Sequence, residues 1–368
     1  MRIGILGGGQ LARMLALAGT PLGMRFMFLA PEADACAASL GTHLQAPFTD
    51  QDAWATLATG ADRVTCELEH VPLPTLQYFH QRGLLAPSDE AVAIAQERLH
   101  EKELLNRLEL PTAQYAAVDS AADMASALAI TGLPAILKTR RMGYDGKGQA
   151  MIREPGEALA AWHSLGEVPA ILESVVPFER ELSIIGVRGR DGVCRFWPLS
   201  ENRHRNGILR LSLCRPGNPL QALAEKYCER LLVALDYVGV LALELFQCGD
   251  ELFANEYAPR VHNSGHWTIE GAVTSQFENH LRAVAGLPLG CTEARGHSAM
   301  VNFIGNMPDS RQLLDIPGLH LHSYGKSAAP GRKLGHATLC GATAEQLAKN
   351  TERLIELADA AEGAPPHA

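Results

Sequence analysis

The 368-residue chain is 47% hydrophobic and 20% charged, enough apolar content to build a core in two or three domains and too much for a disordered or fibrous chain. Its formal charge is −9, from 41 acidic against 32 basic residues, and no basic block is present that would track a nucleic-acid backbone, so nucleic acid is not an expected partner. The eight cysteines form no CxxC pair, which predicts free thiols in a reducing compartment rather than disulfides or a zinc site.

The opening MRIGILGGGQ has a short apolar run that ends in glycines, unlike a secretory leader, and no stretch approaches the roughly 20 apolar residues of a membrane span. A soluble, cytoplasmic chain without membrane contact is expected. Arg2 to Leu6 predicts a strand, the glycines a tight turn, and Gln10 to Gly19 a helix. Arg25 to Leu29 and Val64 to Glu69 predict further strands, with Pro72 and Pro74 ending regular structure. A βα domain with a parallel sheet is expected over residues 1–100. Ile94 to Leu108 predicts one helix; the strands Ala135 to Lys138 and Ile171 to Val176 then frame a smaller unit. A helix follows from Ala222 to Leu235, then the strands Val240 to Phe246 and Glu251 to Glu256 about a Gly249-Asp250 turn. The segment from Ala344 to Ala360 predicts a last helix, and EGAPPHA needs no fold.

Several segments carry chemistry. Gly7 to Gln10 sit at a strand-to-helix turn whose amides can receive an anion; a dehydrogenase would use such a turn with Glu32 or Asp34, and a purely structural turn is the plain alternative. The loop from Lys138 through Tyr144, Gly146, Lys147 and Gly148 combines a cation on a strand end with glycines that close over phosphate, without Walker A spacing. Backbone near Val176 is placed to read a base, and Glu181 to accept ribose hydroxyls, although either Glu173 or Glu181 alone would pass for a surface acid. Glu244 and Glu256 interrupt apolar strands joined at Gly249, which predicts a paired oxygen site for magnesium. Arg260, His262 and Asn263 suit a small anionic reactant, whereas His266 is expected to be structural. Glu67 and Glu69 share a strand-end face, and Lys326 and Arg332 are late cations for a substrate phosphate.

Taken in order, GGGQLARML, CELEHVP, KTRRMGYDGKGQ, ESVVPFERELS, ALELF, NEYAPRVHNSGHWT and YGK resemble the ATP-grasp superfamily, specifically its 5-(carboxyamino)imidazole ribonucleotide synthases. The resemblance implies a three-domain α/β ATP-grasp architecture. Its divisions fall at 1–100, a linker helix and lid at 101–178, a catalytic unit at 179–295, a carboxy-terminal extension at 296–361 and a tail at 362–368. It implies ATP held by Lys102, Lys138, Gly146, Lys147, Gly148, Glu173, Val176 and Glu181, and two magnesium ions, replaceable by manganese, on Glu244 and Glu256. It places Gln10, Glu67, Glu69, Tyr144, Lys326 and Arg332 around 5-aminoimidazole ribonucleotide, and Arg260, His262 and Asn263 around bicarbonate and carboxyphosphate. A homodimer is part of the same expectation. Two departures stand out: Met142 occupies a position where that family often has glycine, and His70 one where it often has asparagine.

Overall fold

A computed structural model describes residues 1–143, 146–341 and 343–363. In the first unit, β1 (Arg2–Leu6), β2 (Arg25–Ala30), β3 (Thr42–Gln45) and β4 (Arg63–Cys66) form a parallel sheet in the order β3-β2-β1-β4. Ile3, Ile5, Phe26 and Phe28 are buried on one face and Leu6, Leu29 and Val64 on the other, as strands covered on both faces require. The strand expected to reach Glu69 stops at Cys66. Pro72 does not simply end regular structure; it caps the helix Leu73–His80, with Pro74 in its first turn, where a missing N–H costs no hydrogen bond. The helix expected over Ile94 to Leu108 is two, Asp89–Ala95 and Arg98–Arg107. The break brings the Gln96 amide under the loop after β4, where it donates to the carbonyls of Glu69 (2.6 Å) and Val71 (2.8 Å).

The second unit is an antiparallel sheet of β5 (Tyr115–Val118), β6 (Ala135–Thr139), β7 (Gln149–Ile152) and β8 (Ala170–Ser174), ordered β5-β8-β6-β7. Met124 and Trp162, from its two helices, close a small core over it.

The large antiparallel sheet holds β9 (Arg180–Arg188), β10 (Cys194–Phe196), β11 (Ser200–Arg205), β12 (Ile208–Cys214), β13 (Gly239–Cys248), β14 (Glu251–Ala258), β15 (His297–Ile304), β16 (Leu319–Ser323) and β17 (Lys333–Gly341). Its order is β14-β13-β9-β11-β12-β15-β17-β16, with β10 on the side of β9. The β12–β15 pairing makes the carboxy-terminal strands continuous with the catalytic ones, and the helix Ala344–Glu362 packs through Leu347 and Leu354 onto that end. Along β13, Leu241, Leu243 and Leu245 join the core beneath the helix Gln221–Ala234. Val240 and Ala242 lie on the opposite face, and the two-residue period carries that face on to Glu244.

First and third units are tied through a buried histidine. His280 Nδ1 accepts the Val240 N–H (3.0 Å), so Nε2 carries the proton and donates to Thr65 Oγ1 (2.8 Å) on β4. Burial pushes His280 down to about 4 from its ordinary value. Between that value and about 6.5 the unfolded chain binds a proton that the native chain refuses, so stability falls as pH falls through this window. From pH 7.5 to 5 the residue should remove about 2 kcal/mol of stability. Urea unfolding of the wild type and His280→Gln at both pH values checks this: the wild type should lose more by that amount, and equal losses would contradict the linkage.

Candidate active site

The centre of the site is a carboxylate pair. β13 and β14 are antiparallel, and their register sets Glu244 directly opposite Glu256, which places both side chains on one face. Like charges so placed repel, and each is matched by a nitrogen donor from another element. Glu256 Oε2 lies 2.6 Å from Arg98 Nη1, at the start of the helix Arg98–Arg107, and Glu244 Oε1 lies 3.1 Å from His262 Nε2. Burial acts to raise the Glu256 carboxyl, but Arg98 outweighs it and holds the group at about 2. One turn along the same helix, Glu101 accepts the Tyr257 N–H (2.6 Å), and burial together with Glu256 raises its carboxyl to about 8.

Beside the pair lies a second knot of charge. Glu173 on β8 takes Lys138 Nζ, at the end of β6, at 2.8 Å, and Lys102 Nζ at 3.6 Å. Burial opposes ionisation of Glu173, but the two lysines prevail and hold it at about 2. Lys102 is 2% exposed and also donates to the Asn255 carbonyl (2.6 Å), so this cation holds β14 as well as Glu173. Beyond Lys138 the loop folds back, Thr139 N–H donating to the Gly148 carbonyl (2.8 Å). Gly148 and Gly146 have φ of 70° and 75°, and a Cβ on Gly146 would meet Gly207 at the tip of the β11–β12 hairpin at 3.0 Å. Lys147 is exposed between them, while Tyr144 lies outside the described residues. Met142 takes φ 62°, a left-handed conformation that glycine adopts without strain, which explains why glycine suits this position. The Val176 carbonyl accepts from Phe178 N–H (2.9 Å), and Glu181 on β9 forms an ion pair with His204 on β11.

On the side of the first unit Glu67 sits at the helix N-terminus, accepting from Gly9 N–H and from Ala12 N–H (2.7 Å), while Gly7 N–H donates to the Leu29 carbonyl (2.9 Å). The unsatisfied donors and positive end of a helix attract a carboxylate, and the loop after β4 brings one from within the protein. Glu69 instead pairs with Arg260 (2.6 Å), which keeps its carboxyl low despite burial. Gln10 Oε1 accepts from Lys326 Nζ, while Arg332 is exposed and donates to Ser327 Oγ (3.1 Å). Asn263 is tied into a reciprocal amide pair with Asn302 (2.7 and 3.1 Å). His266 is 1% exposed and its ring packs tilted against that of His336, as a structural residue would.

Thus Glu67, Glu69, Gln10, Lys326, Arg260, His262, the Glu244–Glu256 pair and Glu173 with its two lysines form one charged tract, in which the sequence pattern alone did not reveal Arg98, Glu101 and His204. Arg98, Glu101 and Lys102 have the i, i+3, i+4 spacing of a single helix face, a signal that was available. His204 carried none, because its partner is supplied only by the pairing of β11 with β9.

A small antiparallel lid sheet, a large antiparallel sheet with opposed acids and a strand-borne lysine between them define an ATP-grasp enzyme. Models for the ribonucleotide synthetase preATP-grasp domain, the ATP-grasp domain and the phosphoribosylaminoimidazole carboxylase C-terminal domain match residues 1–96, 103–277 and 298–350. The N5-carboxyaminoimidazole ribonucleotide synthase of Pseudomonas aeruginosa is 55% identical over 97% of this chain and 100% of its own. The crystal structure of the Thermus thermophilus synthetase is 53% identical with a TM-score of 0.93, covering 96% of this chain and 98% of that one. That of the Aspergillus clavatus synthase in complex with ADP and 5-aminoimidazole ribonucleotide is 30% identical with a TM-score of 0.90, covering 98% of each chain. The chain belongs to the N5-carboxyaminoimidazole ribonucleotide synthase family.

Gly7 gives the most direct structural test of the Glu67 arrangement. Its φ is 124°, and a Cβ there would lie 2.3 Å from Glu67 Cγ. Gly7→Ala should lower the unfolding free energy by about 2–3 kcal/mol, from backbone strain and the displaced carboxylate. Unchanged denaturant midpoint and slope would contradict it.

Proposed function

We propose that this enzyme is an ATP-dependent ligase that carboxylates 5-aminoimidazole ribonucleotide with bicarbonate, giving 5-(carboxyamino)imidazole ribonucleotide, ADP and phosphate in purine synthesis. The observation that carries the reading is the Glu244–Glu256 pair, flanked by Lys138 and Lys102 on one side and by His262 and Arg260 on the other. Two opposed carboxylates fit a hard, oxygen-preferring cation shared with phosphate oxygens. Nucleotide oxygens and water would complete the ligand set around such a cation. Glu244 and Glu256 would hold the two magnesium ions, or manganese in their place, and the bound metal would neutralise phosphate charge.

In this reading Lys138, Lys102 and the amides around Gly146 to Gly148 bind the phosphates, with Tyr144 and Lys147 in the same loop. Val176 and Glu181 take base and ribose, and Glu173 fixes both lysines. A bicarbonate oxygen attacks the terminal phosphorus, and ADP leaves with the electron pair of the broken P–O bond. Arg260 and His262 hold the carboxyphosphate formed, beside Asn263. The exocyclic amine of the nucleotide substrate then forms a C–N bond to the carboxyl carbon, directly or after carbon dioxide is released within the site, as phosphate departs and the amine gives up a proton. Lys326 and Arg332 receive the substrate phosphate, and Gln10, Glu67 and Glu69 line its other side.

The unit divisions at 1–100, 101–178, 179–295 and 296–361 belong to the same proposal, as do the homodimer and the cytoplasmic setting. No helix among the described residues is long and apolar enough to cross a membrane.

With magnesium-ATP and bicarbonate, addition of aminoimidazole ribonucleotide should release ADP in step with labelled bicarbonate entering an acid-labile product; ATP bound with neither event would overturn the reaction. Glu244→Ala and Glu256→Ala should each lower kcat by about 100-fold or more. Normal turnover with normal magnesium dependence would remove the substituted residue from the metal site.

A further inference from the structure

His262 is held from behind by a chain of buried hydrogen bonds. Its Nδ1 lies 2.9 Å from Ser264 Oγ and 3.4 Å from the Ser264 backbone nitrogen, while Nε2 faces Glu244 at 3.1 Å. Ser264 Oγ in turn meets Ser183 Oγ (2.7 Å), which takes the Asn202 amide Nδ2 (3.0 Å), and Asn202 Oδ1 accepts from Ser212 Oγ (2.7 Å). The three serines are fully buried and Asn202 is 5% exposed. Ser183, Asn202 and Ser212 come from β9, β11 and β12, neighbours in the large sheet, and Ser183 is directly opposite Glu244 in the ladder. Four buried polar side chains are thus gathered beneath one imidazole, where each needs its partner.

The polarity of the chain runs one way. The Asn202 NH2 can only donate, so Ser183 Oγ accepts from it and turns its own hydrogen toward Ser264. Ser264 then directs its hydroxyl hydrogen to His262 Nδ1. The backbone N–H of Ser264 points at the same ring nitrogen, and a backbone N–H likewise only donates. The backbone N–H therefore requires Nδ1 to be an acceptor, and the hydroxyl chain donates to it in the same sense, which leaves the ring proton on Nε2.

We infer that the Ser212–Asn202–Ser183–Ser264 relay is a positioning device that fixes His262 in the Nε2-protonated tautomer and aims this N–H at the face carrying Glu244. The consequence for catalysis rests on the proposed placing of His262 at the transferring carboxyl group. There the relay presents a ready hydrogen-bond donor to anionic oxygen and spares the reorganisation of a freely turning ring. Ser183, Ser264 and Asn202 touch no reactant in this scheme; they act through His262.

Nitrogen-15 spectra of protein labelled at histidine give the tautomer directly, with the His262 signal identified by its loss in His262→Gln. The wild type should show Nε2 protonated and Nδ1 bare; a proton on Nδ1 would overturn the inference without any variant. Ser183→Ala, which interrupts the chain at its middle, should give a mixture of tautomers and lower kcat by about tenfold, with KM for ATP held within about twofold. Ser183→Thr, which keeps the hydroxyl, should restore both tautomer and kcat. Tautomer and kcat both unchanged in Ser183→Ala would overturn the relay. A shifted tautomer with unchanged kcat would support the relay and remove His262 from the carboxyl group instead.

Discussion

Two carboxylates directly opposite one another on neighbouring strands are the costly element of this molecule, and much of the surrounding structure answers to them. Glu244 and Glu256 share one face of the large sheet by register alone. Without compensation, like charges in this arrangement weaken the strand pair. Arg98 and His262 supply that compensation from opposite sides, one from the helix that follows the first unit, the other from the loop that leaves β14. The charge that threatens the sheet therefore also fixes where the connecting elements sit.

The same logic extends outward. Glu173 is paired with Lys138 and Lys102, Glu69 with Arg260, and Glu67 with the end of a helix. Nearly every acid facing the reaction centre is thus already matched by a donor within the chain. Breaking such a pair by removing one partner is expensive, on the order of 3–5 kcal/mol when the remaining charge is buried. In the proposed function magnesium-ATP would replace some of these internal partners with others of like sign, and Arg98 and His262, which lie against Glu256 and Glu244, are the donors it would affect most directly.

How far the site was legible in the sequence followed from how local its causes are. Glu244 and Glu256 announced themselves by interrupting apolar strands, and the Lys138 loop by crowding cations among glycines. Arg98 and Glu101 were half legible: their helical spacing to Lys102 was visible, but their partners lie more than 150 positions away. The hold of Glu67 on the first helix was not legible, because the donors at Gly9 and Ala12 and the acceptor that takes them are over 50 residues apart. In the fold, the parallel first sheet and the β13–β14 hairpin followed from short-range pattern. The seam between β12 and β15 did not, since it depends on which strand finds which, and the prolines after β4 were stronger as helix starts than as stops.

In the proposed reaction a bicarbonate oxygen attacks the terminal phosphorus of ATP. The most direct measurement supplies bicarbonate labelled with oxygen-18, together with magnesium-ATP and aminoimidazole ribonucleotide, and follows the label into inorganic phosphate by mass. Attack by bicarbonate requires one labelled oxygen in each phosphate released during carboxylation. Phosphate that carries oxygen from water alone, alongside full formation of carboxylated product, would contradict it.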